Sequence, residues 1–276
     1  MDCQALQGTA AAAAYIEAHL GETLDLGRVA EAVCYSKYHL HRMFTDTAGL
    51  TPRAYIQRRR LTEAARALAG SQRPLAEIAL AAGYGSQQAF SAVFKAMYKQ
   101  TPRAYRQGGS VYPLQLPLAL NPSPAGAGTA ALAGPADLPG WMALLSQVVD
   151  GFPHLEPSAH RRQIEGQIAR RQALVLRDGP TIAAAAAFSY RTGEIGFLAV
   201  HPQYRRRGAE EALLAVLREE LLPGRPIAIT TFRAGDRADT GQRAAYRRLG
   251  FREAELLTEF GYPTQRLVLG PGERRL

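Results

Sequence analysis

Ser36-Lys-Tyr-His-Leu-His-Arg-Met-Phe44 and Ser86-Gln-Gln-Ala-Phe-Ser-Ala-Val-Phe94 are two versions of one segment. Each is followed at the same interval by Thr-Pro-Arg-Ala-Tyr, at Thr51–Tyr55 and Thr101–Tyr105. A fixed period with matching apolar and proline positions marks one supersecondary unit used twice. Upstream of each copy apolar residues fall at helical spacing: Leu26, Val29, Ala30 and Val33, then Leu75, Ile78, Ala79 and Ala82. Asp25 suits the N-cap of the first of these helices. A turn follows, at Cys34–Tyr35 and at Gly83. Ser36 and Ser86 then cap a second helix, expected to bury Leu40, Met43 and Phe44 in one copy and Phe90, Val93 and Phe94 in the other. The first of these stops near Gly49, and Pro52 opens a long helix through Leu68, terminated by Gly70. Two helices joined by a tight turn, the second capped by serine and studded with polar residues, make a helix-turn-helix.

Such a unit places its second helix in the major groove with N-terminal side chains at base edges. The outward positions here are Ser36, Lys37, Tyr38, His41 and Arg42 in the first copy, and Gln87, Gln88 and Ser91 in the second. Arginine matches guanine O6/N7 and glutamine adenine N6/N7. Arg53, Arg58, Arg103 and Arg106 are candidates for phosphate contacts, which position a protein without reading sequence. Residues 1–107 hold 13 Lys and Arg against 8 Asp and Glu, a suitable field for a polyanion. A plain helical bundle with solvated faces is the competing interpretation; the duplication with paired caps argues against it.

These residues resemble a known family. Ser-Lys-Tyr-His-Leu-His-Arg-Met-Phe, Gly-Leu-Thr-Pro-Arg-Ala-Tyr-Ile, Arg-Arg-Leu-Thr-Glu-Ala-Ala and Gly-Tyr-Gly-Ser-Gln-Gln-Ala-Phe are similar to the AraC-type transcription regulators. The nearest subgroup is the multiple-antibiotic-resistance and oxidative-stress activators. The resemblance covers about residues 10–106. It implies two recognition helices, held by the central helix, that enter successive major grooves of double-stranded DNA. Ala92 stands where that subgroup often carries an arginine, so the second helix is expected to read its half-site less strongly.

From Gly108 to about residue 139, Gly108-Gly109 and Pro113, Pro117, Pro122, Pro124, Pro135 and Pro139 predict an irregular connector. Its apolar run Val111–Leu120 is suited to lie along a domain surface. Beyond it the pattern predicts helices at 141–149 and 158–170, strands at 173–176, 181–190 and 194–200, and a helix at 208–221. A strand at 227–232, a helix at 242–249 and two strands through Leu269 complete an α/β layer with a mixed sheet.

The informative junction is Ile195-Gly-Phe-Leu-Ala-Val-His-Pro-Gln-Tyr-Arg-Arg-Arg-Gly-Ala-Glu. A strand runs into three arginines and a glycine, and a helix begins. Free N–H groups and the dipole at a helix start bind anions. Gly208 permits close backbone approach, and Arg205, Arg206 and Arg207 add charge-assisted bonds, so the junction is a candidate pyrophosphate cradle. A basic solvated loop capping a surface helix would have the same composition.

Over about residues 141–269 the order of elements and this motif resemble the GNAT superfamily of N-acetyltransferases. The acyl-CoA signature Arg/Gln-x-x-Gly-x-Gly/Ala is matched at Arg205 and Gly208, with Glu210 in place of its last small residue. A second family motif is echoed by Tyr246, Gly250 and Phe251, with Asp239 for asparagine and Gln242 for alanine. The resemblance implies that the backbone of Leu198, Ala199 and Val200 holds the acyl-pantetheine arm of acetyl-CoA. It further implies that the amides from Arg206 through Gly208 and Ala209 to Glu210 hold its pyrophosphate, that Tyr246 acts as general acid for the thiolate, and that Glu194 acts as general base. Acyl transfer to nitrogen needs such a pair, because an ammonium is not nucleophilic and a protonated thiolate leaves better.

The chain of 276 residues fits two domains, and its 47% hydrophobic content supports packed cores. No segment is apolar and long enough to span a bilayer. The alanine-rich start lacks a basic leader and is expected to be helix. Two cysteines, Cys3 and Cys34, exclude a disulfide framework and a four-cysteine zinc site and fit a reducing cytosol. The net charge of +9 suits an anionic partner without proving one. The expected organisation is therefore an all-α tandem helix-turn-helix domain at 1–107, a linker at 108–139 and an α/β GNAT-like domain at 140–276. Three readings stay open: a cytoplasmic DNA-binding regulator that also acetylates a small amine, a regulator whose second domain only senses a ligand, and an acyltransferase whose helical domain docks a partner. RNA polymerase is a candidate partner of the first two.

Overall fold

The computed structural model describes residues 3–108, 111, 113–121, 128–148, 157–205, 207–259 and 261–271. They form two compact units, the first built on Met1–Ser123 and the second on Pro124–Val148 and Leu155–Leu276.

The first unit has seven helices among its described residues: α1 (Cys3–Ala18), α2 (Leu26–Ala32), α3 (Lys37–Ala48), α4 (Pro52–Gly70), α5 (Leu75–Ala81), α6 (Gln87–Tyr98) and α7 (Pro102–Gly108). Side-chain oxygens cap several of them, at Asp25, Ser36 and Ser86 as the sequence predicts and at Thr51 besides. Asp25 accepts from Arg28 N at 2.9 Å, Ser36 from His39 N at 3.2 Å, Thr51 from Ala54 N at 3.2 Å and Ser86 from Ala89 N at 3.1 Å. Each satisfies an N–H that the helix itself leaves unpaired.

The repeat is visible in backbone and core alike. Cys34 N and Tyr35 N bond to Glu31 O and Ala30 O, and Gly83 N and Tyr84 N bond to Leu80 O and Ala79 O in the same pattern. Both turns need one left-handed residue, filled by Cys34 (φ 57°) in the first copy and Gly83 (φ 79°) in the second. The helix ends reverse the choice, with Gly49 (φ 76°) closing α3 and Lys99 (φ 61°) closing α6. Phe44 packs on Tyr55 at 5.6 Å between ring centres and Phe94 on Tyr105 at 5.3 Å, which explains the equal intervals in the sequence.

The apolar run after α7 does lie along a surface, that of α4, and it is held there by buried polar bonds. Arg58 Nη2 donates to Leu114 O at 2.9 Å and Arg59 Nη1 to Gln115 O at 3.1 Å. Thr62 Oγ1 accepts from Leu114 N at 3.0 Å and Gln115 N at 3.1 Å, and Tyr55 OH accepts from Leu118 N at 3.1 Å. Leu114 is fully buried. The same face carries an ion pair, Arg59 Nη2 to Glu17 Oε2 at 2.8 Å, to which Tyr55 OH adds a bond to Glu17 Oε1 at 2.6 Å.

The second unit contains β1 (Ala130–Leu132), α8 (Leu138–Val148), α9 (Pro157–Ala169), β2 (Ala173–Asp178), β3 (Thr181–Phe188) and β4 (Glu194–Val200). They are followed by α10 (Ala209–Val216, continued by one wider turn over Leu217–Leu221), β5 (Ile227–Phe232), α11 (Gln242–Arg248), β6 (Arg252–Glu259) and β7 (Tyr262–Leu269). One seven-stranded sheet runs in the order β1-β2-β3-β4-β5-β7-β6. Among the described strands only β4 and β5 are parallel neighbours, so the sheet is mixed as expected. Strand β1 is a departure, because proline and glycine density predicted irregular chain there. The proline-free Ala130-Ala-Leu132 instead pairs antiparallel with β2, Ala131 opposite Val175.

Two irregularities shape the middle of this sheet. Ala187 pairs with Phe197 and Phe188 with Ile195, which leaves Gly196 as a bulge in β4. Beyond Ile195 the β4–β5 pairing stops, with Glu194–Ala228 and Ile195–Ile229 as the shared register. The bulge sends neighbouring side chains to opposite faces. Ile195 and Val200 join Leu213, Leu214, Ile229, Tyr246 and Phe251 in the core under α10 and α11. Phe197 faces the other side, stacked on Trp141 of α8 at 5.4 Å and against His160 of α9 at 5.0 Å.

Candidate nucleic-acid interface and anion cradle

In the first unit, both capped helices bury one face and leave the other to solvent. Leu40, Met43 and Phe44 are buried on α3; Phe90, Phe94 and Met97 on α6, where Val93 is half-buried. Ser36, Lys37, Tyr38, His41 and Arg42 are all exposed on α3 or at its cap. Tyr38 is 77% exposed, too much apolar ring for a residue that packs within its own unit. Gln87 and Gln88 are exposed on α6, Ser91 is half-buried beside them, and Ala92 is exposed. The hydroxyl oxygens of Ser36 and Ser86 hold helix starts, so these two set the angle at which each helix leaves its turn.

Arg53 and Arg103 are exposed one residue after the prolines that open α4 and α7, matching positions of the two copies. Arg58 is different. It is 3% exposed and both its Nε and Nη2 bond to Leu114 O, so it cannot meet a phosphate, contrary to the sequence expectation. Helical periodicity could have warned of this, since Arg58 lies between the buried Tyr55 and Leu61. Arg106 is half-buried and its Nη2 donates to Arg73 O at 2.7 Å, which ties one arm of its guanidinium to the fold. What remains exposed is Lys37, Arg42, Arg53 and Arg103 together with Tyr38, His41, Gln87 and Gln88, residue types suited to phosphate and base-edge contacts.

In the second unit, β4 ends at Val200 and a tight turn over Pro202–Tyr204 carries the chain to Arg205. Tyr204 OH fixes that turn by donating to Asp178 Oδ2 at 2.6 Å. Arg206 lies outside the described residues. Arg207 is exposed, and Gly208 (φ 80°) precedes the first turn of α10 with no side-chain cap. A Cβ at Gly208 would meet nothing within 4 Å, so its backbone is approachable, but its positive φ disfavours any other residue. Ala209 is buried under the helix, and Leu198, Ala199 and Val200 pair with Ala186, Ala185 and Ala184 of β3.

The acidic side chains decide what this start can hold. Glu210 is half-buried in the first turn of α10. Burial pushes its carboxyl pKa up, its own N–H lowers it, the charge of Glu211 adds to the rise, and Arg205 and Arg248 oppose it. Tyr246 of α11 is 3% exposed. Burial raises its pKa further than any other influence, the charges of Glu210 and Asp239 add to it, and a bond with Gln242 works the other way. Asp239, where the family motif has asparagine, caps α11 by accepting from Gly241 N at 2.9 Å and Gln242 N at 2.8 Å. The open backbone and the arginines suit an anion. The Glu210 carboxyl, among the same groups that would hold a diphosphate, does not, so the residues present do not fit coenzyme A.

Glu194 is half-exposed at the far end of β4, where Thr192 Oγ1 accepts from its N–H at 3.3 Å. A strand rises about 3.3 Å per residue, so some 20 Å of β4 separate it from Val200. The groups that act on Tyr246 are Glu210, Asp239, Gln242 and Arg205. The influence of Glu210 and Arg205 on Tyr246 puts that tyrosine beside the cradle. Arg248 is the member of this group that the sequence did not single out; it stands well away from Glu210 along the chain and no local pattern pairs them.

No helix among the described residues is long and apolar enough to cross a membrane. A family profile described as a helix-turn-helix domain matches residues 29–108, and one described as an acetyltransferase (GNAT) domain matches residues 147–262. The chain is 43% identical over 108 residues to the transcriptional regulator Rob of Salmonella typhimurium, covering 38% of this chain and 37% of Rob. The chain therefore spans little more than a third of that relative. It is 42% identical over 93 residues to the regulatory protein SoxS of Escherichia coli K12, covering 34% of this chain and 87% of SoxS. An acetyltransferase of the GNAT family from Bacillus cereus overlaps 52% of this chain and 97% of its own, at 17% identity and a TM-score of 0.42.

Proposed function

Because the chain belongs to the AraC-type regulators, with a GNAT acetyltransferase domain fused behind the helix-turn-helix unit, we propose that it is a one-component transcription regulator. Its first unit reads double-stranded DNA with α3 and α6, and its second binds a small ligand that sets DNA affinity. The observation that carries the reading is the pair of serine-capped helices whose outward faces hold exposed base-reading side chains, with exposed Arg53 and Arg103 at matching positions of the two copies. Arg42 and Tyr38 read one half-site. Gln87 and Gln88 read the other, more weakly for want of a cation at Ala92. Lys37, Arg53 and Arg103 grip phosphates. Such a protein works in the cytoplasm beside the chromosome and acts on RNA polymerase.

The second unit is a sensor in this reading, not a catalyst of acyl transfer. Tyr246 is enclosed in the core with its proton held more tightly than in a free tyrosine, and Glu210 burdens the cradle. The acids around Tyr246 favour a small amine over an anionic cofactor. Selection of duplexes from a random pool tests the first half: recovery of two half-sites about 10 base pairs apart supports it, and recovery of none refutes it. Thiol release from acetyl-CoA with a panel of amines tests the second, and turnover would refute the sensor.

A further inference from the structure

The start of α10 has the parts of an anion site and one part too many. Gly208 leaves its backbone open and gives the first turn no side-chain cap, and Arg205 and Arg207 supply positive charge. Glu210 stands in that first turn, half-buried, where the matching family motif has glycine or alanine. Its charged and titratable neighbours are Arg205 from the preceding loop, Glu211 on its own helix, and Tyr246 and Arg248 on α11; Asp239, just before α11, acts on Tyr246 in turn. A carboxylate in the first turn is favoured by the helix dipole, as an external anion would be.

We propose that Glu210 is a built-in occupant of this cradle: its carboxyl takes the seat of a diphosphate, Arg205 and Arg248 serve it in place of a nucleotide, and the second unit therefore refuses coenzyme A. One side chain makes the difference. The backbone side of the cradle is open at Gly208, so shortening Glu210 restores both the room and the charge balance for a diphosphate. The inference rests on the sensor reading but is separable from it, since a domain could fail to turn over acetyl-CoA and still bind it.

The test is calorimetric titration of the full chain with coenzyme A, as wild type, Glu210→Gly and Glu210→Gln, with thermal melting to show that each is folded. Wild type is expected to bind at least tenfold more weakly than Glu210→Gly. Glu210→Gln, which keeps the bulk and removes the charge, should fall between them. Because burial raises the carboxyl pKa, wild-type affinity should also rise on acidification by more than that of Glu210→Gly; Tyr246 stays protonated throughout, and the ligand's own phosphates titrate alike in both proteins. Equal affinity of wild type and a folded Glu210→Gly overturns the proposal, and so does a folded Glu210→Gly that does not bind. Coenzyme A binding by wild type as tight as by Glu210→Gly, without thiol release from acetyl-CoA, would sink this inference alone; thiol release would sink the sensor reading too.

Discussion

Replacing Thr62 with valine removes one oxygen and almost no volume, and that oxygen is the anchor of the segment that crosses α4. Thr62 is fully buried. Its Oγ1 accepts from Leu114 N at 3.0 Å and Gln115 N at 3.1 Å and donates to Arg58 O at 2.9 Å. Thr62→Val leaves two buried N–H groups without an acceptor. Each unmade bond of this kind costs about 1–3 kcal/mol, and allowing for some relaxation we expect a loss of about 3 kcal/mol from the first unit. In a unit of this size that is a fall of about 10 °C in its melting temperature. The chain reports its two halves separately. Its single tryptophan, Trp141, belongs to the second unit, while helical circular dichroism is dominated by the seven helices of the first. Thr62→Val should shift the dichroism transition and leave the tryptophan transition in place, and Thr62→Ser should stay within about 1 kcal/mol of wild type because it keeps the hydroxyl. A Thr62→Val protein within about 0.5 kcal/mol of wild type, or one whose tryptophan transition moves equally, would refute the claim that this segment is part of the DNA-reading unit.

Arg42→Ala should weaken binding to a selected duplex by about 1–3 kcal/mol and relax preference at one base pair, whereas Arg53→Ala should weaken all duplexes alike and lower the salt dependence by about one unit of slope; gel-shift titration at several salt concentrations separates the two, and matching profiles would count against the groove assignment. Ser36→Ala and Ser86→Ala should each lower the stability of the first unit by about 1 kcal/mol, read from urea midpoints, and no change in either would mean the cap geometry is incidental. His160 is buried with Nε2 unpartnered, and desolvation holds its pKa below the ordinary histidine value. The second unit should therefore hold its full stability above about pH 6.5 and lose it as pH falls through that value toward the lower folded-state pKa. The urea midpoint of Trp141 fluorescence should drop between neutral and acidic pH in wild type, and His160→Leu should flatten the drop; an equal drop in both would refute it.

Much of the fold was legible because it rests on local rules. Capping serines, proline at helix starts and a 3.6-residue apolar stripe need only neighbours along the chain, so the helices of the repeat fall where their residues place them. The same holds for β4, β5 and α11, with apolar runs bounded by glycine or basic turns. Strand β1 escaped because three residues carry no period. What makes Ala130–Leu132 a strand is a partner, β2, that only the folded chain supplies. Arg58 escaped for a related reason: a guanidinium looks like a surface group until a carbonyl from far along the chain is brought to it.

The candidate sites divide along the same physical line. A recognition surface is made of exposed side chains, and amphipathic spacing reveals such residues directly: Tyr38, His41, Arg42, Gln87 and Gln88 are outward because Leu40, Phe44, Phe90 and Phe94 must be inward. A cleft works by mutual placement of groups from different elements, and spacing is silent about that. The sequence shows Glu210 as a departure from a motif. Only the fold shows that this carboxyl shares its surroundings with Arg205, Arg248 and Tyr246, and so changes what the helix start can accept. A substitution at the last position of a phosphate motif is a small edit on paper. Set in a half-buried first turn, where a charge is poorly screened, it is enough to turn an anion site into one already filled.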